Sequence, residues 1–245
     1  MRTFFKAIVK FLREADILLL VLSLISAIYG ILLISSVTKN YTESYLGVQI
    51  GALVIGAILF VLFSYIDIDV IADKSIALFA FSVLFISTLF LWGVGAEEVG
   101  NRGWLRFWDI GIQPAEVVKV PFIIIIAKMI ADFKERKSLN TFASLMKILL
   151  VSALVVGLIF VSSSDVGNPL IYVLILLVML YIGGVKLRWF LLGGGFVAAI
   201  SPLIWNNFFE PYHRNRILAP FFPEIADPTR RFVLYQPDLS VRAIT

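Results

Sequence analysis

The amino-acid sequence predicts an all-α fold: a polytopic membrane helix bundle of about seven transmembrane helices, with an N-terminal interfacial helix and an outer re-entrant or interfacial element. Of its 245 residues, 60% are apolar, whereas soluble domains are nearer half apolar. The mean hydropathy is +0.95. One globular core cannot bury this much apolar surface, so the bilayer must solvate much of the chain. The absence of cysteine excludes disulfides, thiolate metal sites and a cysteine nucleophile.

Seven segments are apolar over a length close to the roughly 20 residues that a helix needs to cross a bilayer. The fourth segment carries charged residues. The seventh contains Gly193–Gly195 and Pro202, which transmembrane helices tolerate better than soluble helices do. The predicted spans are 17–37, 45–65, 76–95, 114–131, 144–162, 169–184 and 189–206.

The distribution of basic residues predicts the orientation of these spans. Lys and Arg are concentrated in the N-terminal segment and in the loops after the second, fourth and sixth spans, and they are sparse in the opposite loops. Because basic residues are retained on the cytoplasmic side, the N-terminus is predicted to be cytoplasmic. Three regions follow: an amphipathic cytoplasmic-face segment at 1–14, the transmembrane bundle at 15–206, and the start of a large extracytoplasmic loop at 207–245.

The segment 1–14 separates apolar from basic side chains on a helical wheel. It suits a helix lying on the anionic cytoplasmic leaflet, and a simple positive-inside topogenic segment is an equally good interpretation. The apolar residues are Phe4, Phe5, Ile8, Phe11 and Leu12, and the basic residues are Arg2, Lys6, Lys10 and Arg13.

The fourth span begins with polar residues at its outer end, in the order Gln113, Pro114, Ala115, Glu116. Pro114 suits the first position of a helix, and Glu116 then lies in the first turn, where the helix dipole favours a negative charge. Lys119 follows on the same face. These residues predict a helix start with a local ion pair at headgroup depth. Because ionisable residues within spans are usually functional, they also fit the wall of a polar cavity.

Three other places on the predicted outer face carry candidate site residues. Trp104 belongs to an apolar and aromatic loop that is either an aromatic belt or a short element packed on the bundle. Asp165 and Asn168 lie in a turn where capping of the sixth helix is the default interpretation. Arg214 and Arg216 suit lipid headgroups or a phosphate group. The sequence contains no phosphate-binding Gly-rich loop, no Ser-His-Asp arrangement and no zinc spacing.

From the residues alone, the chain is a polytopic membrane protein with a polar, arginine-bearing outer face. Such a face suits a substrate with an anionic head and a lipid tail, and nothing in the sequence indicates nucleic acid as a partner. No soluble second domain, internal repeat or low-complexity tract is present.

Four motifs in register resemble the SEDS family (shape, elongation, division and sporulation), which is typified by RodA and FtsW. They lie in the outer loop before the fourth span, at the start of that span, between the fifth and sixth spans, and after the seventh. Gly103, Ser163, Ser164 and Leu239 depart from the family pattern. The matching residues are Gly100, Trp104, Gln113, Pro114, Glu116, Lys119, Asp165, Gly167, Tyr212, Arg214, Arg216, Pro223, Asp227 and Pro228.

The resemblance implies a bacterial plasma-membrane protein that polymerises peptidoglycan glycan strands from lipid II, by inverting glycosyl transfer with undecaprenyl diphosphate as the leaving group. The implied partners are lipid II, membrane lipids and a class B penicillin-binding transpeptidase, in cell-shape or cell-division growth. A divalent metal stays open as a cofactor. Substrate binding is expected at Trp104, Gln113, Glu116, Lys119, Asp165, Arg214 and Arg216.

The resemblance assigns no catalytic residue in this sequence. The essential aspartate of the family lies further along the outer loop than Thr245, and neither Asp227 nor Asp238 takes that role. The chain is therefore expected to be an incomplete copy that is inactive by itself. Two alternatives stay open: a flippase or transporter of lipid-linked precursors, suggested by intramembrane charge and the broken seventh span, and a non-catalytic scaffold of the cell-wall synthesis complex.

Overall fold

A computed structural model describes residues 16–37, 45–95, 102–107, 110–163 and 167–207, together with 214, 215, 218, 221 and 222. The chain divides into two compact units, residues 1–184 and 185–245. The predicted N-terminal interfacial helix at 1–14 and most of the predicted outer loop at 207–245 lie outside the described residues.

The described part is helical apart from one β-hairpin, which confirms the predicted fold class. Among the described residues, the first unit contains eight helices and two strands, and the second contains one long helix. Their bounds are α1 Ile17–Val37, α2 Tyr45–Ser64, α3 Ile68–Ala72, α4 Ser75–Ser87, α5 Leu89–Trp92, β1 Leu105–Phe107, β2 Ile110–Ile112, α6 Pro114–Glu135, α7 Phe142–Ser163, α8 Gly167–Gly183 and α9 Leu187–Asn207.

Every predicted span coincides with a helix, and the third is a helix pair. Among the described residues, five stretches are long and apolar enough to cross a membrane: α1, α2, the pair α4–α5, α7 and α9. The pair is interrupted at Thr88, whose hydroxyl donates to the Phe85 carbonyl at 2.6 Å. Helix α8 is apolar but shorter, and α6 carries charges. Helix α9 runs without a break through its glycines and Pro202, so the expected interruption of the seventh span is absent.

Helix α6 is the centre of the first unit, since it packs against α3, α4, α7 and α8. Its buried side chains recur at helical spacing along one face, as expected for a helix with a single apolar stripe. Ile126 is fully buried and Val118 is too, whereas Glu116 and Val120 on other faces are exposed. The least apolar of the predicted spans therefore has four helices packed against it.

The end of α6 opposite the hairpin is tied to α3 by an ion-pair network. Lys128 Nζ lies 3.3 Å from a carboxylate oxygen of Asp73, the residue after α3, and 3.3 Å from a carboxylate oxygen of Asp132. Asp67 caps α3 by accepting from the Asp69 backbone N–H at 3.0 Å. The Lys128–Asp73 contact therefore ties the end of α3 to the central helix.

The C-terminus of α6 is a Schellman motif with an unusual residue in the left-handed position. Ser138 N–H donates to the Phe133 carbonyl at 2.8 Å, and Lys137 N–H donates to the Lys134 carbonyl at 3.0 Å. This geometry places Lys137 at a φ of 53°, a region where glycine is the usual residue.

Replacing Lys137 by glycine should therefore stabilise the protein. A side chain in the left-handed region costs about 1–2 kcal/mol, which the entropy of a more flexible unfolded glycine partly offsets, so a gain of roughly 0.5–1 kcal/mol is expected. Lys137→Ala is the control, because it removes the charge and keeps the strain. A higher midpoint of unfolding in mixed detergent micelles for glycine alone supports this explanation, and equal midpoints for both variants contradict it.

Candidate functional site

The candidate site lies where α6 begins, and the sequence sets this start locally. Pro114 is the first helical residue and Gln113 precedes it in extended backbone, with φ −101° and ψ 108°. A proline at this position loses no hydrogen bond, because the first N–H groups of a helix have no partner inside it. Pro114 and Ala115 are buried, while Gln113 is partly exposed. The predicted helix start is confirmed.

Glu116 and Lys119 form the predicted ion pair on the first turn of α6. Lys119 Nζ donates to Glu116 Oε1 at 2.7 Å. The Glu116 side chain is 53% exposed and that of Lys119 is 20% exposed. In water such an i,i+3 pair contributes less than about 1 kcal/mol. An exposed carboxylate at a helix N-terminus and a largely covered lysine side chain together leave a polar surface with both signs of charge.

Helix α8 fixes the other side of this start. Tyr172 is fully buried, and its hydroxyl donates to the Ala115 carbonyl at 2.6 Å. Its ring meets Phe122 edge-to-face, with ring centroids 4.9 Å apart. A buried hydroxyl needs such an acceptor, so this contact positions α8 against the first turn of α6.

The β-hairpin presents Trp104 beside the start of α6. Strands β1 and β2 pair antiparallel, with Leu105 opposite Ile112, and Gln113 directly connects β2 to α6. Leu105 is buried, whereas Trp104 is 37% exposed. Gly111 lies under the Trp104 ring, because a Cβ at that position would be 3.1 Å from the indole.

Two backbone hydrogen bonds hold the hairpin on the bundle. Val94 N–H, after α5, donates to the Trp104 carbonyl at 2.8 Å, and Arg102 N–H donates to the Ser163 carbonyl at the end of α7 at 2.9 Å. Gly93 permits this close approach, since a Cβ there would lie 2.8 Å from the Arg102 carbonyl oxygen. The outer element predicted from the sequence is therefore a hairpin packed on the helix ends.

Buried polar side chains surround the connection between α7 and α8. Ser162 and Ser163 are buried at the end of α7, and each hydroxyl donates to the Ile159 carbonyl. Asn168 is buried inside the first turn of α8 rather than preceding the helix. Asp165 lies between them in the sequence but outside the described residues, so its predicted capping or binding role stays a prediction.

The predicted arginines belong to the second unit. Arg214 donates from Nη2 to the Asn206 carbonyl at 3.2 Å, near the end of α9. A guanidinium at a helix C-terminus is favoured by the helix dipole. The Arg214 Nε atom is buried and has no hydrogen-bond partner among the described residues. Arg216 lies outside the described residues.

Of the predicted site residues, the structure brings together Trp104, Gln113, Glu116 and Lys119 on one continuous hairpin–helix segment of the first unit. Tyr172 was not among the residues predicted from the sequence, although a tyrosine within an apolar span is a signal for a buried hydrogen bond. Within the part of the chain that the structure describes, no group of three or more His, Asp or Glu side chains is arranged to hold a metal ion.

Comparison with known proteins gives a consistent result. The profile of the FtsW/RodA/SpoVE family, described as "Cell cycle protein", matches residues 12–244. The chain is similar to a probable peptidoglycan glycosyltransferase FtsW of Geobacter sp. (strain M18), with 24% identity over 222 residues, 87% of this chain and 59% of that protein. It is also similar to the protein of the same name from Mycobacterium tuberculosis, with 36% identity over 115 residues, 46% of this chain and 21% of that protein.

Two solved structures share the fold. A chain of a peptidoglycan synthase complex, studied for its coordination of polymerization and crosslinking, superposes with a TM-score of 0.67 at 23% identity, covering 84% of this chain and 60% of that chain. The rod shape determining protein RodA of Thermus thermophilus superposes with a TM-score of 0.55 at 18% identity. The superposition covers 91% of this chain and 71% of that chain. In the sequence comparison, the match spans 59% of the length of the Geobacter relative.

Proposed function

Because this chain belongs to the FtsW/RodA/SpoVE family, we propose that it supplies the substrate-facing outer part of a peptidoglycan glycosyltransferase that polymerises glycan strands from lipid II. Basic-residue asymmetry supports a multi-pass arrangement in the bacterial plasma membrane with a cytoplasmic N-terminus. In this arrangement the hairpin and the first turn of α6 face outward, at the depth of the lipid II headgroup.

The chemistry of the reaction explains why charges stand at this depth. An acceptor sugar hydroxyl attacks the anomeric carbon of the donor, the bond to the diphosphate oxygen breaks, and undecaprenyl diphosphate leaves. A base must take the hydroxyl proton, and cationic groups must stabilise the charge that develops on the diphosphate. We assign the cationic role to Arg214 and Arg216. A divalent metal would supply the same stabilisation, and no residue of this chain is assigned as the base.

One observation carries the proposal: the Glu116–Lys119 pair stands on the first turn of the central helix, which begins directly after the hairpin that follows the exposed Trp104. In this interpretation Lys119 and Glu116 contact the polar headgroup, Gln113 and Asp165 donate or accept hydrogen bonds beside it, and Trp104 covers the sugar or the lipid. Apolar grooves between the helices would seat the polyprenyl tail.

Site-directed photocrosslinking tests this placement. A photoreactive amino acid at position 104 or 113, in the full chain in nanodiscs, should label lipid II far more than undecaprenyl phosphate of the same chain length. Position 76 is the control, because Ile76 is 85% exposed at the start of α4, away from the hairpin. Equal labelling at positions 104, 113 and 76 would refute the placement.

Reversing the charges of the ion pair gives a second test. Glu116→Lys or Lys119→Glu alone should weaken lipid II binding roughly tenfold, or about 1.4 kcal/mol, because each places like charges three residues apart on one turn. The double reversal restores the pair and should recover most of the binding, as measured for all three variants by fluorescence titration with labelled lipid II. A double variant as weak as the single variants would show that the pair does not act as a unit.

The competing functions predict different products. Glycan strands made from labelled lipid II, with a class B penicillin-binding transpeptidase present, support the polymerase. Movement of labelled lipid II across vesicles without glycan product supports a flippase. A scaffold is supported if the chain co-purifies with the transpeptidase and the complex neither polymerises lipid II, nor moves it across vesicles, nor binds it. In a longer version of the protein that polymerises lipid II, Arg214→Ala combined with Arg216→Ala should abolish polymerisation, and retention of activity would remove the diphosphate role from both arginines.

A further inference from the structure

The peptide group that joins Ala115 to Glu116 is held at both of its ends. Its carbonyl oxygen accepts from the Tyr172 hydroxyl on α8 at 2.6 Å, and its N–H donates to the Gln113 carbonyl at 2.9 Å. An α-helix also pairs each carbonyl with the N–H four residues further on, which for Ala115 is the N–H of Lys119. Both residues of the Glu116–Lys119 pair are thus connected to one peptide group that α8 holds in place.

The ring of Tyr172 fixes the direction in which its hydroxyl points. Tyr172 and Phe122 are both fully buried, and their rings meet edge-to-face with centroids 4.9 Å apart. Phe122 lies two turns after Ala115, on the same face of α6. Tyr172 therefore contacts α6 at two heights, through its hydroxyl and through its ring, and the two contacts together resist rotation of the first turn of α6 relative to α8.

The ion pair needs this support because it is weak by itself. The Glu116 side chain is more than half exposed, and an exposed pair gains little over hydration while it restricts two flexible side chains. The first N–H groups of a helix also have no partner inside the helix, so a first turn frays easily. The positions of the two charges consequently depend on what holds the backbone of this turn, and the Tyr172 hydroxyl is a tertiary contact that does so.

We propose that Tyr172 is a positioning residue for the lipid II headgroup. Its hydroxyl does not touch the substrate, and it acts by holding the Glu116–Lys119 pair in the geometry that the headgroup binds. The role toward lipid II rests on the function proposed above, whereas the effect on the ion pair does not depend on it. Tyr172→Phe is the informative substitution, because it removes the hydroxyl and keeps the ring that packs on Phe122.

The first measurement needs no lipid II. A water-soluble acetylating ester is added to the full chain in nanodiscs, and mass spectrometry follows the modification of Lys119, whose amine is shielded while Glu116 binds it. Tyr172→Phe should raise the rate of modification roughly fivefold, the factor that corresponds to one neutral hydrogen bond. Glu116→Ala gives the rate of the amine without its partner. If Tyr172→Phe modifies at the rate of the unsubstituted chain, the proposal is wrong.

Ile148→Val controls for a general loss of stability. Ile148 is fully buried on α7, about 22 Å along the helix from Ser163 at 1.5 Å per residue, and Ser163 is at the end of α7 that contacts the hairpin segment. Removing one buried methyl group destabilises about as much as removing the Tyr172 hydroxyl. The rate at Lys119 should nevertheless stay unchanged. An equal rise in both variants would mean that Tyr172 acts only through overall stability, and this would overturn the proposal.

Binding of labelled lipid II, followed by fluorescence titration, tests the substrate role. Tyr172→Phe should weaken binding roughly fivefold. Glu116→Ala should then weaken it less in the Tyr172→Phe chain than in the unsubstituted chain, because both substitutions damage the same geometry. Independent losses that multiply would overturn the role of Tyr172 toward the headgroup. If the unsubstituted chain binds no lipid II while modification of Lys119 still depends on Tyr172, the proposed function is wrong and the positioning of the ion pair is supported.

Discussion

Replacing Tyr172 by alanine is expected to lower the free energy of unfolding by about 3–5 kcal/mol, the range for removal of a large buried aromatic side chain. Tyr172 is fully buried and forms both the hydroxyl contact to Ala115 and the ring contact to Phe122. The substitution removes the interaction of α8 with the first turn of α6 and leaves a cavity between them. The measurement is the fraction folded in mixed micelles as the share of denaturing detergent rises.

Two matched variants identify the cause. Tyr172→Phe keeps the ring and removes only the hydroxyl, so it should cost about 1 kcal/mol, the usual net value of a neutral hydrogen bond. Leu174→Ala truncates a side chain of the same helix that is 54% exposed, and it should change stability little in a lipid-like solvent. If Leu174→Ala destabilises as much as Tyr172→Ala, the buried contact is not what holds α8.

Replacing Gly93 by valine is expected to detach the hairpin from the helix ends, at a cost of about 1–3 kcal/mol for forced overpacking. A Cβ at Gly93 meets backbone atoms, namely the carbonyl oxygens of Leu89 and Arg102, rather than a flexible side chain. The contact with the Arg102 carbonyl is relieved when the segment that begins at Arg102 and leads into β1 moves away from α5. Trypsin cleavage after Arg102 and Arg106 should then become several times faster in intact, sealed vesicles that expose the hairpin.

Gly157→Val provides the control for Gly93→Val, because a Cβ at Gly157 meets nothing within 4 Å. It carries the same added volume in a membrane helix and should leave the cleavage rate unchanged. Unchanged cleavage in Gly93→Val as well would mean that the hairpin does not depend on the close approach at Gly93.

The long elements were predictable because the physics that fixes them is local. Each predicted span overlaps a helix whose ends fall within a few residues of those expected, since a run of apolar residues must pair its backbone groups internally in a bilayer. The start of α6 was predicted to the residue, because Pro114 and Glu116 both have a preferred place in a first turn. The Glu116–Lys119 contact follows from the spacing alone.

The hairpin shows where the sequence signal was ambiguous. Leu105, Phe107, Ile110 and Ile112 alternate with other residues, which is the pattern of two short strands. The same residues with Trp104 also fit an interfacial aromatic belt, and the two interpretations cannot be distinguished without knowing what the loop contacts. The deciding contacts come from Val94 and Ser163, residues that are adjacent to the hairpin only in the folded chain.

Contacts between distant parts of the chain were not predictable. Tyr172 lies 57 residues from Ala115 in sequence, and the side chain of Lys128 on α6 reaches Asp73 beyond α3. Each pair joins residue types that occur many times in the chain, and the neighbouring sequence does not mark them as partners. Only the packing of α6 against α3 and α8 brings them together. The contact of Arg214 with the Asn206 carbonyl was likewise not predicted. The role of Arg214 toward a substrate stays a prediction.

The position of α6 has a consequence for biogenesis. Membrane insertion during translation selects segments by their hydrophobicity, and a charge at the middle of a span costs about 2.5–3.5 kcal/mol on this scale. Helix α6 carries Glu116, Lys119, Lys128 and Asp132, so it is a poor substrate for insertion by itself. We expect it to leave the translocon only together with α4 and α7, the apolar helices that flank it in the chain and pack on it. The three helices would then enter the lipid together as one packed unit. The order in which they are synthesised would set the order in which they pack.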